Sequence, residues 1–407
     1  MSKKIAVIGG GAAGFFFAIN LAMRTKDAEI VILEKTNKVL SKVKVSGGGR
    51  CNVTNATYHN GKLSYNYPRG QAFLRKVFED FSAKDTVDWF SNQHVTLKAE
   101  DDNRIFPLSD TSQTIIECFM QAIERLGIKL RTSTVVDSIK KLENGKLQLN
   151  ENEEFDFVFI GTGGSAKLES YNWLANMGHT ILTPLPSLFT FNIPDNPLKG
   201  LEGLSVVEAS VRAEKTNLSA TGGWLVTHWG ISGTAILRLS AWGAKELAER
   251  NYNFAVFVNF ITQMNAEVVR TKMQEFGQLN KQKLIGSHRL FDLPSRLWER
   301  MVFLAEIHPE LRWCDISKQK LNKLVENLTN FRLEVRGKTT FKEEFVTCGG
   351  VSLDDVHVQT IESKIVRGIF FGGEVLDIDG ITGGFNFQAA WSTAWLAAKE
   401  VARRIED

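Results

Sequence analysis

The sequence predicts an α/β protein whose first domain is of the Rossmann type and is interrupted by a β-rich insertion. Two observations predict the first domain: the apolar run Ile5–Ile8 leads into the turn Gly9–Gly14, and a second apolar run ends at Glu34. A third predicts the insertion, because short alternating stretches begin after Pro184 and glycine-rich apolar segments return at Thr347. Strand, glycine turn and helix in this order are typical of a dinucleotide-binding βαβ unit.

The glycines of the turn have separate roles. Gly9 permits the tight change of direction after the strand, Gly11 lets the backbone approach a pyrophosphate, and Gly14 lets the helix pack against the strand. The N–H groups and the positive dipole end of that helix face the phosphates. We therefore expect Ala12 and Ala13 to contact the dinucleotide as well.

Glu34 lies 20 residues after Gly14. A carboxylate at this distance accepts hydrogen bonds from the ribose hydroxyls of an adenosine and disfavours a 2′-phosphate. Together with the adjacent Lys35, it is predicted to bind the adenosine end of the ligand. This unit alone does not distinguish one dinucleotide from another.

Composition narrows the class of protein. A chain of 407 residues predicts two or three domains, and its 43% hydrophobic and 23% charged residues are ordinary for a soluble protein. The net charge of +3 argues against a nucleic-acid partner or a membrane surface, so we expect a small-molecule substrate and leave the oligomeric state open. No apolar run reaches the ~18 residues that span a bilayer, and the first strand begins too early for a leader peptide. The scattered cysteines predict a reducing cytoplasm, with no metal site or redox dithiol: Cys51, Cys118, Cys314 and Cys348.

Patterning predicts a split nucleotide-binding domain and an insertion of two parts. The expected segments are 1–189 (nucleotide-binding, first part), 190–260 (β-rich), 261–330 (helical), 331–346 (return strand) and 347–407 (nucleotide-binding, second part). Helices are predicted at Ser112–Leu126, Gln263–Phe276, Pro294–Ile307, Ser317–Leu328 and Gln388–Ile405, the last of them buried. Strands are predicted at Ile128–Leu130, Thr132–Ile139, Phe155–Ile160, Val206–Arg212, Gly223–Val226, Phe254–Phe260 and Phe331–Val346, with a hairpin turn at Asn144-Gly145.

A second glycine-rich stretch spans Ser46–Asn52 and cannot form the interior of a regular helix or strand. Successive glycine N–H groups there would line an anion or the polar edge of a ring, and Arg50 would pair with a phosphate. A plain tight turn would need fewer glycines. Cys51 lacks a partner cysteine, so we interpret it as a small packed residue rather than a reactive one.

A third stretch, Gly373–Gln388, places the acids Glu374 and Asp377 ahead of a pair of glycines that precede a helix. Gly383 and Gly384 precede a helix that begins near Asn386, so a second helix N-terminus points at the ligand. Asp377, or Glu374 before it, is placed to accept hydrogen bonds from ribitol hydroxyls.

Two further motifs allow alternative interpretations. Gly161–Gly164 also fits a nicotinamide-binding fingerprint, but the next apolar run ends without a residue for the ribose, so we interpret it as a loop at the end of a strand. His228 is either a proton donor near a cofactor or a loop residue held by backbone hydrogen bonds. The seven histidines show no spacing that indicates a metal.

Together these motifs resemble, over essentially the whole chain, the bacterial flavoprotein family of YhiN, BaiN and aminoacetone-oxidase-like proteins. The resemblance implies an FAD-binding Rossmann-type domain, an inserted β-rich domain and a small helical subdomain. His228 and Asn386 are the predicted catalytic residues. The predicted FAD contacts are Gly9, Gly11, Ala12, Ala13, Gly14, Glu34, Lys35, Ser46, Gly47, Gly48, Gly49, Arg50, Cys51, Asn52, Val136, Thr162, Gly163, Gly164, Gly373, Glu374, Asp377, Gly383, Gly384, Asn386 and Phe387.

The leading functional hypothesis is an FAD-dependent oxidoreductase. Hydride would pass through flavin N5 between an organic substrate and NAD(P)H or oxygen, with NAD(P)H as a transient visitor. The family activities, which include reduction of unsaturated steroid-like ketones and oxidation of an aminoketone, do not define a substrate. One alternative is an NAD-dependent dehydrogenase that uses the first fingerprint alone, which leaves the last glycine motif without a role. The other is a flavin-binding redox sensor or scaffold without turnover.

Overall fold

The computed structural model describes residues 2–339 and 346–407. The chain divides into two units, Met1–Ser187 with Phe341–Asp407, and Leu188–Thr340. The first unit therefore contains both ends of the chain, and the second is an insertion between them. Among the described residues, none of the helices is both long enough and apolar enough to cross a membrane.

The first unit is an α/β structure. Up to the insertion its elements are β1 Lys3–Ile8, α1 Ala12–Arg24, β2 Ala28–Leu33, α2 Ser41–Gly49, β3 Thr54–Asn55, α3 Asn60–Ser64, α4 Gln71–Asp80, α5 Ala83–Asn92, β4 Leu97–Ala99, β5 Arg104–Pro107, α6 Gln113–Arg125, β6 Lys129–Arg131, β7 Ile139–Lys141, β8 Leu147–Leu149, β9 Glu153–Phe155, β10 Phe157–Ile160, α7 Asn172–Ala175 and β11 Ile181–Pro186.

The second unit is an antiparallel sheet with helices. Its elements are β12 Thr190–Asn192, β13 Ser205–Ala213, β14 Ser219–Thr227, β15 Gly230–Ser232, α8 Thr234–Trp242, α9 Ala244–Glu249, β16 Asn253–Asn259, α10 Ala266–Leu279, α11 Ser295–Leu304, α12 Lys318–Thr329, β17 Phe331–Arg336 and β18 Lys338–Thr339. The chain then returns to the first unit with β19 Thr347–Val351, β20 Ile369–Phe371 and α13 Phe385–Glu406.

A parallel sheet of five strands in the order β20-β10-β1-β2-β6 positions the site. Its strands end in register: Ile8 lies beside Leu33 and Ile160, and Ile160 lies beside Phe371. The loops that follow β1, β2, β10 and β20 therefore leave the sheet at the same edge. In open α/β sheets, ligands bind at this edge, outside the carboxyl ends of the strands.

The fold class is confirmed, and so are the helix at 112–126 and the hairpin at Asn144-Gly145. The predicted strand Thr132–Ile139 is wrong, because only Ile139 is in a strand. Most of 132–138 is exposed, and its backbone donates to the Glu34 and Thr36 carbonyl oxygens instead of forming a ladder. The predicted strand Phe155–Ile160 divides between β9 and β10, which belong to different sheets.

The second unit has a single seven-stranded sheet in the order β17-β16-β13-β14-β15-β12-β18. The three predicted helices are present as α10, α11 and α12, and they share one apolar core with the sheet. The finer division of the insertion into β-rich and helical parts stays a prediction. The predicted return strand Phe331–Val346 is wrong as a single strand, because β17 and β18 are separated at Gly337 and lie at opposite edges of the sheet. Val346 is not in a strand, and residues 340–345 lie outside the described residues.

Candidate functional site

The glycine turn after β1 leaves space for a ligand at the start of α1. Gly9 has a φ of +108°, and a Cβ at Gly14 would lie 2.0 Å from the Gly9 carbonyl oxygen, so α1 packs directly on the turn. At Gly11, the residue before α1, no heavy atom lies within 4 Å of the position that a Cβ would take. The first N–H groups of α1 therefore border an open cradle that favours a phosphate.

Glu34 lies against this cradle. Its Oε2 accepts a hydrogen bond from the Gly10 backbone N–H at 2.9 Å. The backbone N–H of Thr134 donates to the Glu34 carbonyl oxygen. Val136, two residues after Thr134, is half-buried, and Lys35 is exposed. These residues form one end of the site, where the sequence predicts the adenosine.

The chain that follows the glycine-rich stretch Ser46–Asn52 meets the stretch Gly373–Gln388 in the structure, although about 330 positions separate them. Asn55 Nδ2 donates to the Gly383 carbonyl oxygen at 3.0 Å. In the amide orientation that satisfies both of its groups, Asn52 accepts from the Gly384 N–H at 2.9 Å and donates to the Thr54 carbonyl oxygen. A Cβ at Gly384 would lie 2.4 Å from that same carbonyl oxygen. The 52–55 segment thus packs directly on the start of α13.

The glycine run before Asn52 leaves the helical conformation. Hydrogen bonds of α2 continue to Gly49, but Ser46 has ψ 147°, Gly47 has φ 58° and Gly48 has φ 69°. No heavy atom lies within 4 Å of a Cβ position at Gly48 or Gly49. This part of the loop therefore has open space beside its backbone, as a ligand-lining segment requires.

Arg50 is already paired in this arrangement. Its Nη1 lies 2.6 Å from Glu100 Oε1 and 3.4 Å from Asp110 Oδ1, and its guanidinium stacks 3.9 Å from the centroid of the Phe106 ring. A phosphate would have to share this guanidinium with two carboxylates. The predicted phosphate contact of Arg50 stays a prediction.

Cys51 has the environment of a packed residue. It is fully buried, and burial raises the pKa of its thiol to about 12, against the smaller opposing effect of a hydrogen bond with Ser46. Thiolate, not thiol, is the nucleophile, so Cys51 is unreactive at neutral pH.

We expect iodoacetamide to alkylate the exposed Cys314 in the native protein and to spare Cys51 until the protein unfolds. Mass spectrometry of tryptic peptides measures both sites. In the Cys314→Ser variant, the peptide that contains Cys51 should take up almost no label under native conditions. Rapid alkylation of Cys51 in that variant would show that the thiol is accessible and ionised.

The two predicted ribitol acceptors already receive hydrogen bonds from the protein. Glu374 Oε1 accepts from the Thr347 backbone N–H at 2.8 Å, and its Oε2 pairs with Lys42 Nζ at 2.6 Å. Asp377 Oδ1 accepts from the Gly349 N–H at 2.7 Å. Each carboxylate oxygen has a second lone pair, so both acids remain candidate acceptors for hydroxyl groups.

The loop after β10 joins this part of the site. A Cβ at Gly164 would lie 1.9 Å from Thr347 Oγ1, whereas Gly163, with φ +72°, has open space beside it, and Thr162 is exposed. The next element is the short 3-10 helix Leu168–Tyr171, not an α-helix. The loop therefore lacks the helix N-terminus on which a nicotinamide fingerprint depends.

Gly373 lies where α1 and α13 approach each other. Its N–H donates to Thr393 Oγ1 at 3.0 Å, and a Cβ there would lie 3.3 Å from the Ala13 Cβ and 3.4 Å from the Ala390 Cβ. The α1 and α13 helices therefore begin close together, each with its N-terminus toward the edge of the sheet.

Asn386 closes the loop that leads into α13. Its Oδ1 accepts from the Gly380 N–H at 2.8 Å and its Nδ2 donates to the Gly380 carbonyl oxygen at 3.0 Å. Both ends of the amide are thus used within the loop, and its predicted catalytic role stays a prediction. Phe387 stacks on Trp391 with ring centroids 5.5 Å apart.

Gln388 connects α13 to the 52–55 segment through contacts that sequence reasoning missed. Its buried Oε1 accepts from Thr54 Oγ1 at 2.5 Å and from Thr86 Oγ1 at 2.9 Å, and its Nε2 donates to Ser392 Oγ at 2.9 Å. The spacing of Gln388 and Ser392 on one helix face was the available signal. Nothing local in the sequence indicated the threonine partners.

His228 lies in the second unit. It is exposed in the two-residue turn between β14 and β15, where Thr227 pairs with Gly230. It therefore lies between two neighbouring strands of the sheet. Its predicted catalytic role stays a prediction.

The sheet edge, the open cradle at Gly11 and the second helix N-terminus at Gly384 suit a dinucleotide with a ring at its far end, and so they fit FAD. Among residues 2–339 and 346–407, no group of three or more His, Cys, Asp or Glu side chains could hold a metal ion.

The protein is a flavin-dependent oxidoreductase of the Rossmann type. It belongs to the family described as "HI0933-like protein Rossmann domain", which matches residues 3–400.

Known relatives span the whole chain. A 3-dehydro-bile acid delta(4,6)-reductase of Clostridium scindens is 28% identical, with 99% of this chain and 100% of that protein aligned. A ribosomal RNA dihydrouridine synthase of Escherichia coli is 27% identical over 97% of both chains. These comparisons confirm the resemblance that the motifs indicated.

Solved structures agree on the fold. The 3-ketosteroid-delta4-(5alpha)-dehydrogenase of Rhodococcus jostii superposes with a TM-score of 0.51 at 13% sequence identity, and 97% of each chain is covered. At this identity the likeness supports the architecture and not a substrate.

Proposed function

We propose that this protein reduces a carbon–carbon double bond conjugated to a carbonyl group, and that NAD(P)H supplies the electrons in the cytoplasm. The observation that supports the proposal is the convergence of the 52–55 segment on the start of α13, where we place the ring of the cofactor. Bound FAD supplies the two-electron carrier between the nucleotide and the substrate. The four free cysteines support a reducing compartment.

The reaction class is supported by the names of the two relatives. The Δ4 double bond beside a 3-oxo group, whose conjugation a Δ6 double bond extends, and the 5,6 double bond of uridine are both conjugated to a carbonyl. Saturating either bond delivers a hydride to the β-carbon and a proton to the α-carbon, while negative charge builds up on the carbonyl oxygen. A substrate with this chemistry needs a hydrogen-bond donor at that oxygen and a proton donor.

The chain's own residues divide this work. The start of α13 stabilises negative charge that develops at the polar edge of a ring. His228 is the proposed proton donor, because an imidazole can act as a general acid toward the α-carbon. Glu34 and the turn Gly9–Gly14 anchor the cofactor and take no part in choosing the substrate.

Anaerobic stopped-flow absorbance tests the proposal. Purified holoprotein should lose its flavin absorbance with NADH or NADPH, and one class of conjugated carbonyl substrate should then restore it. The two classes are a 3-oxo-Δ4,6 bile acid and ribosomal RNA that lacks dihydrouridine, and mass spectrometry should show a product heavier by two hydrogens.

The other outcomes identify the alternatives. Re-oxidation by oxygen alone, with an amine substrate reducing the flavin, would indicate an oxidase. Retained FAD that neither nucleotide bleaches would favour a redox sensor or scaffold. A colourless protein that cannot be reconstituted with FAD would leave an NAD-dependent dehydrogenase. Turnover of RNA would overturn the expectation, based on net charge, that no nucleic acid is bound.

A further inference from the structure

A buried ion pair lies in the loop that leads to α13. Asp379 is fully buried, and it accepts hydrogen bonds from Arg69 through both Nε and Nη2 and from the Ser187 hydroxyl. Arg69 Nη2 also lies 3.0 Å from Ser187 Oγ. Three segments that are far apart in sequence therefore meet on one carboxylate.

The segment Asn66–Arg69 forms two further hydrogen bonds with the chain that leads into α13, and we call this set of contacts the clamp. The Ile381 N–H donates to the Asn66 carbonyl oxygen at 2.9 Å, and Tyr67 Oη donates to the Phe385 carbonyl oxygen at 2.7 Å. Asp379 precedes Gly384 by only five residues. The position of the α13 N-terminus therefore depends on this clamp, in which the ion pair is the charged member.

The surroundings of Asp379 act on its ionisation in opposite directions. Burial raises the pKa of Asp379 to about 6, although Arg69 and Ser187 favour its charged form. The charged groups that face the carboxylate are Arg69 and Asp377, and the Asp377 charge opposes its ionisation. Its charge therefore changes near pH 6, five residues before the glycine that precedes α13.

We propose that Arg69 and Asp379 are positioning residues for the flavin, which hold the start of α13 in place and set the reduction potential of the ring through the charge of Asp379. This inference rests on the proposed function, because that function places the ring at the start of α13. An anionic Asp379 opposes the negative charge that reduction adds to the ring, so it lowers the reduction potential. Protonation of Asp379 removes this effect.

The test measures the midpoint potential of the bound flavin against pH in wild type and in Asp379→Asn. The variant should have a more positive potential above about pH 6, where wild-type Asp379 is ionised, and the two curves should converge below that pH. The variant should retain FAD, because the cradle at Gly9–Gly14 is unchanged. Ser187→Ala removes one donor to the carboxylate, so it should move the wild-type change of slope to higher pH.

The chain offers a matched control at the other end of α13. Glu362 is 7% exposed and pairs with Arg404 through two hydrogen bonds, of 2.7 and 2.5 Å. Arg404 lies roughly 30 Å along the helix from its start. Glu362→Gln should lower stability without changing the potential.

Each result separates the inference from the proposed function. Equal potentials in Asp379→Asn and Glu362→Gln, with FAD bound in both, would reduce the Arg69–Asp379 pair to a structural role and leave the proposed function intact. If Asp379→Asn fails to fold, an unchanged potential profile in Ser187→Ala overturns the inference. Absence of bound FAD in the wild-type protein would overturn the proposed function instead.

Discussion

Gly11→Ala should fold like the wild-type protein and lose most of its affinity for FAD. Gly11 has φ −97°, which alanine adopts without strain, and no heavy atom lies within 4 Å of the added methyl group. The space that the methyl enters is where the pyrophosphate must approach the backbone. Forcing a methyl into such a contact costs about 1–3 kcal/mol, which weakens binding by about 5- to 150-fold.

Two measurements check this expectation: the dissociation constant by fluorescence titration of the apoprotein with FAD, and the free energy of unfolding of that apoprotein. The unfolding free energy should change by less than about 1 kcal/mol, the scale of a single change at a helix N-cap. Unaltered FAD affinity in Gly11→Ala would mean that the pyrophosphate does not bind at this turn.

Gly14→Ala and Gly223→Ala are the matched controls, since each adds the same methyl group. At Gly14 the methyl would lie 2.0 Å from the Gly9 carbonyl oxygen, so we expect loss of stability and of FAD together. At Gly223, in the second unit, the nearest atom is Thr234 Oγ1 at 3.4 Å, so we expect neither loss. Only Gly11→Ala should separate binding from folding.

The parts of the site that could be predicted from the sequence are those set by local backbone chemistry. The turn Gly9–Gly14 follows from a strand, three glycines and a helix in direct succession, and Glu34 follows from the fixed length of a βαβ unit. The start of α13 follows from two glycines before an apolar helix. Each of these depends on residues that are neighbours in sequence.

The contacts between distant segments could not be predicted in this way. Thr54 and Gln388 are 334 positions apart, and their hydrogen bond exists only because α13 packs across the 52–55 segment. The ion pairs of Arg50 with Glu100 and Asp110 likewise arise from tertiary packing, and no local pattern indicated them. A side chain with a strong local chemical preference takes whichever partner the fold supplies.

The incorrect strand at Thr132–Ile139 has a related cause. The threonine, valine and isoleucine residues of 132–139 favour a strand, but a strand also needs a neighbour with free backbone groups. Here Ser133 and Thr134 donate to the Thr36 and Glu34 carbonyl oxygens, so the segment follows the end of the site as a loop. The side chains of this segment suit a strand, but its backbone bonds to residues that follow β2 and not to a neighbouring strand.

Gly384→Ala should disrupt the contact between the 52–55 segment and α13. Gly384 has φ +90°, and the methyl would lie 2.4 Å from the Thr54 carbonyl oxygen and 2.8 Å from its Cα, both of which are backbone atoms that cannot rotate away. Left-handed strain and overpacking together cost about 2–5 kcal/mol. The 52–55 segment and the start of α13 must separate, so we expect FAD to be lost during purification.

Gly368→Ala separates the clash from the strain. Gly368 has φ +93° in the same unit, but its added methyl would meet its nearest atom, the Asp156 carbonyl oxygen, at 3.4 Å, an ordinary contact. This variant should lose about 1–2 kcal/mol of unfolding free energy and keep its FAD. Chemical denaturation and the flavin absorbance of the purified proteins measure both quantities. If Gly384→Ala retained FAD as well as Gly368→Ala does, the contact between the two motifs would be dispensable, and the cofactor would have to be held by the turn at Gly9–Gly14 alone.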